Sequence, residues 1–304
     1  MVPRDIATPL LAWFDRHGRA ALPWRSNRAP YRIVVSEFML QQTQVDRVVP
    51  IFERFVAVWP TFEALAAASQ ADVVRAWRGL GYNSRAVRLH RLARAVRDAH
   101  GGALPAAEQT LRQLPGIGPY TARAVAAFAF DADVAAVDTN VRRIVHRTQL
   151  GVEWPPRAGE RKLDAIAASL VPRGAGFAFN SALMDLGATI CTARAPKCLL
   201  CPLVSACAAA PIDGPTLAAL ASNHAKSRSS QERLRFEETT RYARGRIIDR
   251  LRSLTGGERI SLLDLQRELA PLLAHHDAAA ITRVVARLAR EGVLDERDGD
   301  IALA

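Results

Sequence analysis

Apolar residues recur at helical spacing along most of the chain up to about residue 210. An apolar stripe repeating every three to four residues is typical of an amphipathic helix packed on a core. Glycine, proline or a short polar turn follows each such segment, as at Trp59-Pro60 and Gly101-Gly102. Strand signals are nearly absent before residue 255, so an all-α unit is expected. The predicted helices are Val45–Trp59, Ser69–Leu80, Ser84–Ala99, Tyr120–Ala129, Val141–Leu150, Arg161–Leu170 and Asn180–Ala188.

The pattern changes over residues 208–235, where Pro211, Gly214 and Pro215 precede a mainly polar run. This composition predicts a linker, placed at residues 213–236. Three helical segments and a hairpin signal follow. They are typical of a small winged-helix domain (residues 237–304), which binds DNA in some proteins and other proteins elsewhere. The predicted helices are Thr240–Leu254, Ser261–Leu269 and Ala278–Glu291, and the hairpin arms Val293–Leu294 and Ile301–Leu303 flank the turn Glu296–Gly299.

The composition of the chain indicates what kind of partner it binds and in which cellular compartment it is expected. The chain has 304 residues, 49% of them apolar, and a net charge of +11 carried mostly by arginine. Such a basic balance favours a polyanion such as nucleic acid, although a GC-rich genome also produces an arginine excess. No run of eighteen apolar residues occurs, so no transmembrane helix is expected. Asp5, Asp15 and Arg16 interrupt any signal-peptide core, which predicts a cytoplasmic protein.

The cysteines lie together in one short segment. Cys191, Cys198, Cys201 and Cys207 are the four cysteines of the chain, separated by six, two and five residues. Four thiolates this close are suited to one metal centre, and both zinc and an iron–sulfur cluster accept four cysteines. Zinc sites usually combine two C-x-x-C pairs, and only one is present here, so a [4Fe–4S] cluster is favoured. Four unrelated structural thiols are the alternative.

A glycine-rich corner occurs within residues 111–128. Two glycines, Gly116 and Gly118, permit a tight turn between helices, and Pro119 is suited to the first turn of the second helix. The free N–H groups there, with those of the following turn at Thr121, predict a phosphate site at a helix amino terminus. This is a helix–hairpin–helix, which holds DNA without reading its sequence. An ordinary helical corner is the alternative.

Two acids stand in apolar surroundings, Glu37 in VVSEFML and Asp138 in AAVDTNV. An acid among apolar residues costs free energy unless it is paired, protonated or used in chemistry. Asp138 could instead be a helix N-cap, and Glu37 could form a buried pair with an arginine. Both acids are therefore candidate catalytic groups with a structural alternative.

Polar and aromatic residues before and after Glu37 in the sequence are suited to bind a base that has been extruded from a DNA duplex. Gln41, Gln42 and Thr43 follow its apolar run, and amides can fill a base stack and bond to base edges. Trp24 and Arg25 offer a flat ring and a fork of donors, which could hold an extruded base. A core tryptophan with a surface arginine is the alternative.

These motifs together resemble the MutY-type adenine DNA glycosylases of the helix–hairpin–helix superfamily. The resemblance extends from about Leu11 to Cys207, roughly two thirds of the chain. It is carried by LPWR at Leu22–Arg25, SEFMLQQTQV at Ser36–Val45, GLGYNSRA at Gly79–Ala86, LPGIGPYTA at Leu114–Ala122, VDTNVRR at Val137–Arg143, MDLGATIC at Met184–Cys191 and the cysteine segment.

The resemblance implies a mainly α, two-lobed fold: a cluster lobe at 1–21 and 135–212, and a six-helix barrel lobe with the hairpin at 22–134. It also implies roles for individual residues. Glu37 would protonate the adenine leaving group and then activate water, and Asp138 would stabilise the oxocarbenium ion. Tyr120 and Asn140 would position the sugar and Asp138. The base pocket would comprise Trp24, Arg25 and Leu40, and the residues wedged into the duplex would be Gln42, Leu80 and Tyr82, with Gln41 and Thr43 beside them.

Related bifunctional enzymes place a Schiff-base lysine after the hairpin glycines, where this chain has Tyr120. Base removal without lysine-driven strand cleavage is therefore expected. The implied partner is double-stranded DNA with adenine opposite 8-oxoguanine or guanine, and the implied protein is a monomeric, bacterial, nucleoid-associated enzyme.

The chain departs from the family pattern at several points. Its tail is short and helical where many members have a β-rich, Nudix-like domain. Thr139 replaces a common glycine, Asn83 a second aromatic, and Ser181 a Glu or Gln near the base. Two alternatives therefore stay open: a glycosylase for another base, such as thymine or uracil opposite guanine, and a non-catalytic DNA-binding protein on the same scaffold.

Overall fold

The computed structural model describes residues 3–154, 156–226, 235–255 and 257–304. The described residues form two compact units. Unit 1 comprises those of Met1–Glu37, Leu104–Gln113 and Ile117–Ser230, and unit 2 those of Phe38–Ala103, Leu114–Gly116 and Gln231–Ala304. These bounds differ from the predicted lobes, because residues 22–37 and most of 104–134 join unit 1. The division into a cluster lobe and a barrel lobe stays a prediction.

The protein is mainly helical, as predicted. In chain order the helices are α1 (Ala7–His17), α2 (Pro23–Ser26), α3 (Pro30–Leu40), α4 (Val45–Val58), α5 (Phe62–Ala67), α6 (Gln70–Ala76), α7 (Ser84–His100), α8 (Glu108–Leu111), α9 (Pro119–Phe130), α10 (Thr139–Gln149), α11 (Glu160–Ser169), α12 (Gly176–Thr189), α13 (Gly214–Lys226), α14 (Thr240–Arg252), α15 (Leu262–Leu269) and α16 (Ala278–Arg290). Short 3₁₀ turns cover Cys198–Leu200, Val204–Ala206 and Phe236–Glu238. The strands are β1 (Ile260–Ser261), β2 (Leu294–Arg297) and β3 (Asp300–Leu303).

The core of unit 1 forms where α1, α9 and α10 pack against α12. Leu10 of α1, Val141 and Val145 of α10, and Phe179 and Leu183 of α12 are fully or almost fully buried there. Apolar burial of this kind is the main favourable contribution to folding. It fixes the amino-terminal ends of α9 and α10, where three of the candidate catalytic residues lie: Tyr120, Asp138 and Asn140.

In unit 2, α5 and α6 pack against α7, with Phe52, Phe55 and Trp77 among the buried side chains. Helix α6 ends at Ala76, earlier than the predicted Leu80. The chain then turns through Gly79 and Gly81, whose φ angles of 93° and 68° lie in the left-handed region that ends a helix.

The C-terminal segment, defined here as residues 235–304, contains the three predicted helices and the predicted hairpin. Strands β2 and β3 pair antiparallel, with Leu294 opposite Leu303 and Arg297 opposite Asp300. The turn between them is Asp298-Gly299, both with positive φ, as a two-residue hairpin turn requires. The short strand β1 adds to β3, giving the sheet order β1-β3-β2, which the sequence did not predict. Helix α14 packs on α16 and β3.

The predicted linker needs a correction. Residues 214–226 form α13, and Leu217 on that helix is buried. A buried leucine and a run of good helix formers outweigh the proline and glycine at its start, since Pro215 occupies the first helical turn. Residues 227–234 lie outside the described part of the chain. Among the helices described, none combines the length and apolarity needed to cross a membrane.

Candidate active site

Glu37 lies on α3 with only 8% of its surface exposed. The pKa of its carboxyl is raised to about 7, mainly by burial and also by the negative charge of Asp138, while a hydrogen bond with Tyr120 opposes both effects. An ion pair with a buried arginine would have lowered this pKa, so the structural alternative considered for Glu37 does not fit. At neutral pH the side chain can therefore both give and accept a proton.

Asp138 is the N-cap of α10, as its structural alternative proposed. Its Oδ1 accepts a hydrogen bond from the Val141 N–H at 2.7 Å, and its Oδ2 accepts one from Asn140 Nδ2 at 3.0 Å. Capping does not exclude catalysis, because these two bonds fix the carboxylate in one orientation at a helix amino terminus.

Tyr120 connects the two acids. It lies in the first turn of α9, directly after Pro119, and its hydroxyl hydrogen-bonds to Glu37. Burial and the nearby charges of Glu37 and Asp138 raise its pKa well above the usual value for tyrosine, so it stays a neutral donor. The structure thus brings Glu37, Tyr120 and Asp138 together within unit 1, from α3, α9 and the start of α10.

A hydrogen-bonded path leads from Asp138 to the cysteine segment. Asn140 Oδ1 accepts from Arg143 Nη2 at 3.0 Å, and Arg143 Nε donates to the Cys191 carbonyl at 2.8 Å. Arg143 Nη2 also donates to the Gly187 carbonyl at 2.9 Å. A Cβ on Gly187 would lie 2.8 Å from the Cβ of Asn140, so glycine is what permits this approach of α12 to α10. The sequence analysis did not identify Arg143, although it lies three residues after Asn140 on the same helix face.

The four cysteines are free thiols, and each is partly buried. All four line one cavity, together with Ile144, Leu186 and Leu203 among others. The pKa of the Cys201 thiol is raised to about 11, mainly by burial, which outweighs a hydrogen bond from the Leu203 backbone, and to a smaller extent by the charges of the other three cysteines. A thiolate here therefore needs a positively charged group as its partner.

Arg147 holds the backbone around these cysteines. Its side chain is fully buried, pairs with Glu153 at 2.5 Å and donates to the carbonyls of Thr192 and Ala193. Its Nη1 also lies 3.5 Å from the Cys191 sulfur. Within the described residues, no three potential ligands converge closely enough to bind a single ion. A cubane cluster does not require that, because each thiolate binds a different iron, so the four thiols in one cavity fit the cluster.

The predicted base-pocket residues have mixed surroundings. Trp24 is buried, and Leu40 is partly buried. The guanidinium of Arg25 forms a largely buried ion pair with Asp185, at 2.6 Å and 3.0 Å. Asp185 is buried too and was not identified from the sequence, although it is an acid in an apolar helix like Glu37. The hydroxyl of Ser181 is buried and has no hydrogen-bond partner among the described residues.

The predicted wedge residues belong to unit 2. Gln42 is exposed and Tyr82 is 40% exposed, and both have a positive φ, of 57° and 47°. Gln41 and Thr43 are partly buried. Leu80, in contrast, is only 4% exposed, so its side chain belongs to the core.

Arg85 fixes the backbone of this region, and the sequence analysis did not identify it. The side chain is buried, and burial lowers its pKa to about 10. Its guanidinium donates to the carbonyls of Gln41 at 2.6 Å, Leu80 at 3.0 Å and Gly81 at 3.1 Å. It therefore ties the end of α3 to the turn before α7.

The predicted phosphate site can be described residue by residue. Gly116 has a φ of 79°, and a Cβ there would lie 2.9 Å from the Cβ of Arg88, so this position requires glycine. Gly118 is the exposed N-cap of α9, with Pro119 at the first position of the helix. Thr121 is buried, so its contribution to an anion site would be its backbone N–H.

Comparisons with known proteins agree with this geometry. Residues 35–169 match the model of the HhH-GPD superfamily base excision DNA repair proteins. The adenine DNA glycosylase of Mycolicibacterium smegmatis is 42% identical over 305 residues, covering 97% of this chain and 94% of the relative. That of Mycobacterium tuberculosis is 45% identical, covering 83% and 80%, and that of Homo sapiens is 41% identical, covering 66% and 38%.

Solved structures share the fold. A thermostable thymine-DNA glycosylase is 31% identical with a TM-score of 0.60, covering 66% of this chain and 92% of that one. A trapped Endonuclease III–DNA covalent intermediate has a TM-score of 0.56 at 22% identity, covering 66% and 91%. A relative that is 42% identical along 94% of its own length and the match to the superfamily model lead to one assignment. The chain belongs to the adenine DNA glycosylase family of the HhH-GPD superfamily.

Proposed function

We propose that this protein removes adenine from double-stranded DNA in which the adenine is opposite 8-oxoguanine or guanine. The observation that carries the proposal is the carboxyl of Glu37, buried, with a pKa of about 7, beside Asp138 and the Tyr120 hydroxyl. A general acid is most effective when its pKa lies near the working pH. A scaffold that only binds DNA has no need of such a group, which argues against the non-catalytic alternative.

The reaction proceeds in two stages. Protonated Glu37 gives its proton to the adenine as the bond from C1′ to the base breaks, and both bonding electrons leave with the base. The positive charge on the sugar is stabilised by the carboxylate of Asp138, which Asn140 and the α10 backbone hold in place. Glu37, now ionised, takes a proton from water as the water oxygen bonds to C1′. The products are free adenine and an abasic site, and Glu37 is protonated again.

The chain carries out this hydrolysis without a Schiff base. Tyr120 occupies the position after the hairpin glycines, and its hydroxyl has a pKa raised well above the usual value. It is therefore a donor to Glu37 and not a nucleophile. The expected product is an abasic site in an uncut strand.

Four further assignments complete the proposal. Cys191, Cys198, Cys201 and Cys207 would hold a [4Fe–4S] cluster. The cluster would stiffen their loop, since the hydrolysis itself involves no electron transfer. Backbone N–H groups at Gly116, Gly118 and Thr121 bind a DNA phosphate. Trp24 and Leu40 line the pocket for the flipped adenine, while Gln42 and Tyr82 enter the duplex. The protein acts as a monomer, and its C-terminal segment is a winged-helix domain, which the order helix, strand, two helices and hairpin supports.

A second candidate function is removal of thymine opposite guanine. It is favoured by the likeness to a solved thymine-DNA glycosylase at 31% identity and by Ser181, whose buried hydroxyl has no hydrogen-bond partner in the part of the chain that the structure describes. The two functions differ in which base is released, so a panel of substrates separates them.

The deciding experiment uses duplexes that each contain one mispair, with alkali to cleave abasic sites. We expect cleavage of the adenine strand opposite 8-oxoguanine and guanine, and an uncut strand before alkali. Cleavage confined to a thymine or uracil strand would favour the second function. Glu37→Gln should abolish excision, whereas Glu53→Gln, the same change at an exposed position of α4, should not. Normal excision by Glu37→Gln would contradict the assignment of the proton donor.

A further inference from the structure

The turn that presents Tyr82 is held in a conformation that a tyrosine does not adopt by itself. Tyr82 follows Gly81 and has a φ of 47°, yet 40% of the residue is exposed. A side chain in the left-handed region is strained, and such strain persists only where the surrounding structure imposes it. We call residues 79–83 the Tyr82 turn.

One side of the Tyr82 turn is held by Arg85 of unit 2, as described above. The guanidinium of Arg85 donates to the carbonyls of Leu80 and Gly81 and lies 5.6 Å from the centroid of the Tyr82 ring. These bonds fix the backbone before Tyr82. They do not reach Asn83, the residue that follows it.

The C-terminal segment holds the other side of the turn. Arg252, the last residue of α14, donates to Asn83 Oδ1 at 2.7 Å and to the Val74 carbonyl at 3.1 Å. Its side chain is 10% exposed, and Asp249 on the same helix accepts from it at 3.0 Å. Asn83 itself is buried, with 7% of its surface exposed. A buried, charge-assisted hydrogen bond of this length fixes the position of both partners.

The start of the same helix reaches the tyrosine ring. The guanidinium carbon of Arg241 lies 4.8 Å from the centroid of Tyr82, in cation–π geometry. Arg241 and Arg252 are eleven residues apart, which is close to three full turns of an α-helix, so they share one face of α14. That face therefore contacts Tyr82 and Asn83 together.

Other contacts anchor the C-terminal segment beside this turn. Arg75 Nη2 donates to the Leu254 carbonyl at 3.0 Å, and Gln70 Nε2 donates to the Gly292 carbonyl at 2.7 Å. Helix α6 also packs against β3. The segment is thus attached at several points to the helix that leads into the Tyr82 turn.

We propose that the C-terminal segment positions Tyr82 for its entry into the DNA duplex, with Arg241 and Arg252 as the positioning residues. This inference rests on the proposed function, because it assigns the segment a task in displacing the mispaired adenine. A pre-set aromatic ring lowers the cost of unstacking, since its conformation need not be ordered during the encounter. The segment acts on the reaction through this turn, without contacting the reacting atoms.

The test compares two duplexes under single-turnover conditions. In the first, adenine is paired with guanine inside an intact stack; in the second, the same adenine lies opposite an abasic-site analogue and is already loosely stacked. Loss of a charged hydrogen bond predicts that Arg252→Met slows excision from the first duplex about tenfold. The second duplex should be slowed less than about twofold, because little unstacking remains to be done.

Matched controls separate positioning from a general loss of structure. Arg250→Met, on the same helix, removes an ion pair with Glu268 and a hydrogen bond to Ser253, neither of which involves the Tyr82 turn, and should leave both rates unchanged. Arg241→Met should slow the first duplex, but should add nothing when Tyr82 is already replaced by leucine. Asn83→Ala combined with Arg252→Met should be no slower than the slower single variant. Equal slowing of both duplexes by Arg252→Met, or additive effects in these pairs, would overturn the proposal.

A measurement without catalysis keeps the proposal independent of the proposed function. Hydrogen exchange of a peptide containing residues 79–83 should be faster in Arg252→Met than in Arg250→Met, with exchange in unit 1 unchanged. If the wild-type protein releases no adenine from either duplex, the proposed function fails, and this exchange difference still decides whether the segment holds the turn. Unchanged exchange in the Tyr82 turn would overturn the positioning role.

Discussion

Glu37 and Asp138 have the same functional group in different surroundings. Glu37 lies among apolar side chains of α3, where burial favours its neutral form. Asp138 caps a helix, where two donors hold its carboxylate. A pair of acids with separated environments is the arrangement that divides proton donation from charge stabilisation.

The raised pKa of Glu37 lowers the free energy of unfolding at neutral and alkaline pH, and replacing Glu37 with glutamine should remove this loss. The folded carboxyl has a pKa of about 7 against 4.5 for the free group, so the folded state binds the proton more tightly. Stability therefore falls as pH rises from 4.5 to 7, and above pH 7 the full penalty is about 3 kcal/mol. Glutamine does not ionise, so Glu37→Gln should be more stable than the wild type at pH 8, and the gap should narrow by about 2 kcal/mol at pH 5.5.

Urea unfolding at the two pH values measures this gap. Glu53→Gln removes an exposed negative charge from α4 and serves as the control for net charge. If the difference in free energy of unfolding between Glu37→Gln and the wild type is the same at both pH values, burial does not raise the pKa of Glu37.

Tyr120→Phe tests the hydrogen bond to Glu37. The hydroxyl stabilises the ionised carboxyl and so lowers its pKa. Without that donor the pKa of Glu37 should rise further, and the alkaline limb of the excision profile should move to higher pH, because the proton is lost later. Single-turnover rates from pH 5.5 to 9 locate this limb. A midpoint equal to that of the wild type would show that the tyrosine does not act on Glu37.

At the scale of single residues, the sequence predicted which side chains are candidates for catalysis, but not their protonation or their hydrogen-bond partners. Glu37 and Asp138 were recognisable because each interrupts an apolar run. The sequence could not show that the two acids lie together beside Tyr120, because α3 and the start of α10 are about a hundred residues apart in the chain. Arg85 and Arg143 lie in two of the motifs, but their roles were not predicted, because a buried arginine is recognisable only from the carbonyls around it.

At the scale of elements, α10 connects the candidate catalytic acid Asp138 to the cysteine segment. Its first residues hold Asp138 through Asn140, and Arg143 one turn later reaches the carbonyls of Cys191 and Gly187. Side chains four or fewer residues apart on one helix face act as a unit. The orientation of Asp138 therefore depends on the backbone at the start of the cysteine segment.

Arg143→Met should damage both ends of this path. It removes the donor to Asn140 and the donors to the two carbonyls, so we expect about tenfold slower excision together with lower iron and acid-labile sulfide content. Arg142→Met is the matched control: it is the neighbouring residue, and its side chain pairs with Glu160 and Asp164 at the surface of α11. Equal effects of the two variants would show that the path has no specific role.

The helices were predicted best where turn residues mark both ends. Helices α4, α7, α9, α10 and α11 begin and end within two residues of their predicted bounds, because turn residues mark both ends. No bounds were predicted for helix α3. Ile33, Val34, Val35 and Phe38 are buried on all its sides, so the sequence there shows no alternation of apolar and polar positions. Strand β1 has two residues, which is too short for any alternation to be visible.

At the scale of the whole molecule, the net charge of +11 and the fold should contribute differently to DNA binding. The charge should determine affinity for DNA, and the fold should determine discrimination between bases. Charge attracts any duplex, whereas in the proposed function the selection of one base would depend on Glu37, Asp138 and the Tyr82 turn. Contacts with phosphates release counterions and are independent of sequence, so they change affinity without changing discrimination. Affinity and discrimination should therefore respond to salt in different ways.

Binding of an inactive Glu37→Gln protein to a mispaired and to a fully matched duplex can separate these contributions. Both affinities should fall steeply between about 50 and 200 mM salt, with similar slopes on logarithmic axes, because the phosphates are the same in both. Their ratio should stay nearly constant, since unstacking the mispaired base costs the same at each salt concentration. Replacing the exposed Arg194 and Lys197 beside the cysteines with glutamine should reduce both slopes equally if this loop binds phosphates. A ratio that collapses with salt would instead mean that charge itself reads the mispair.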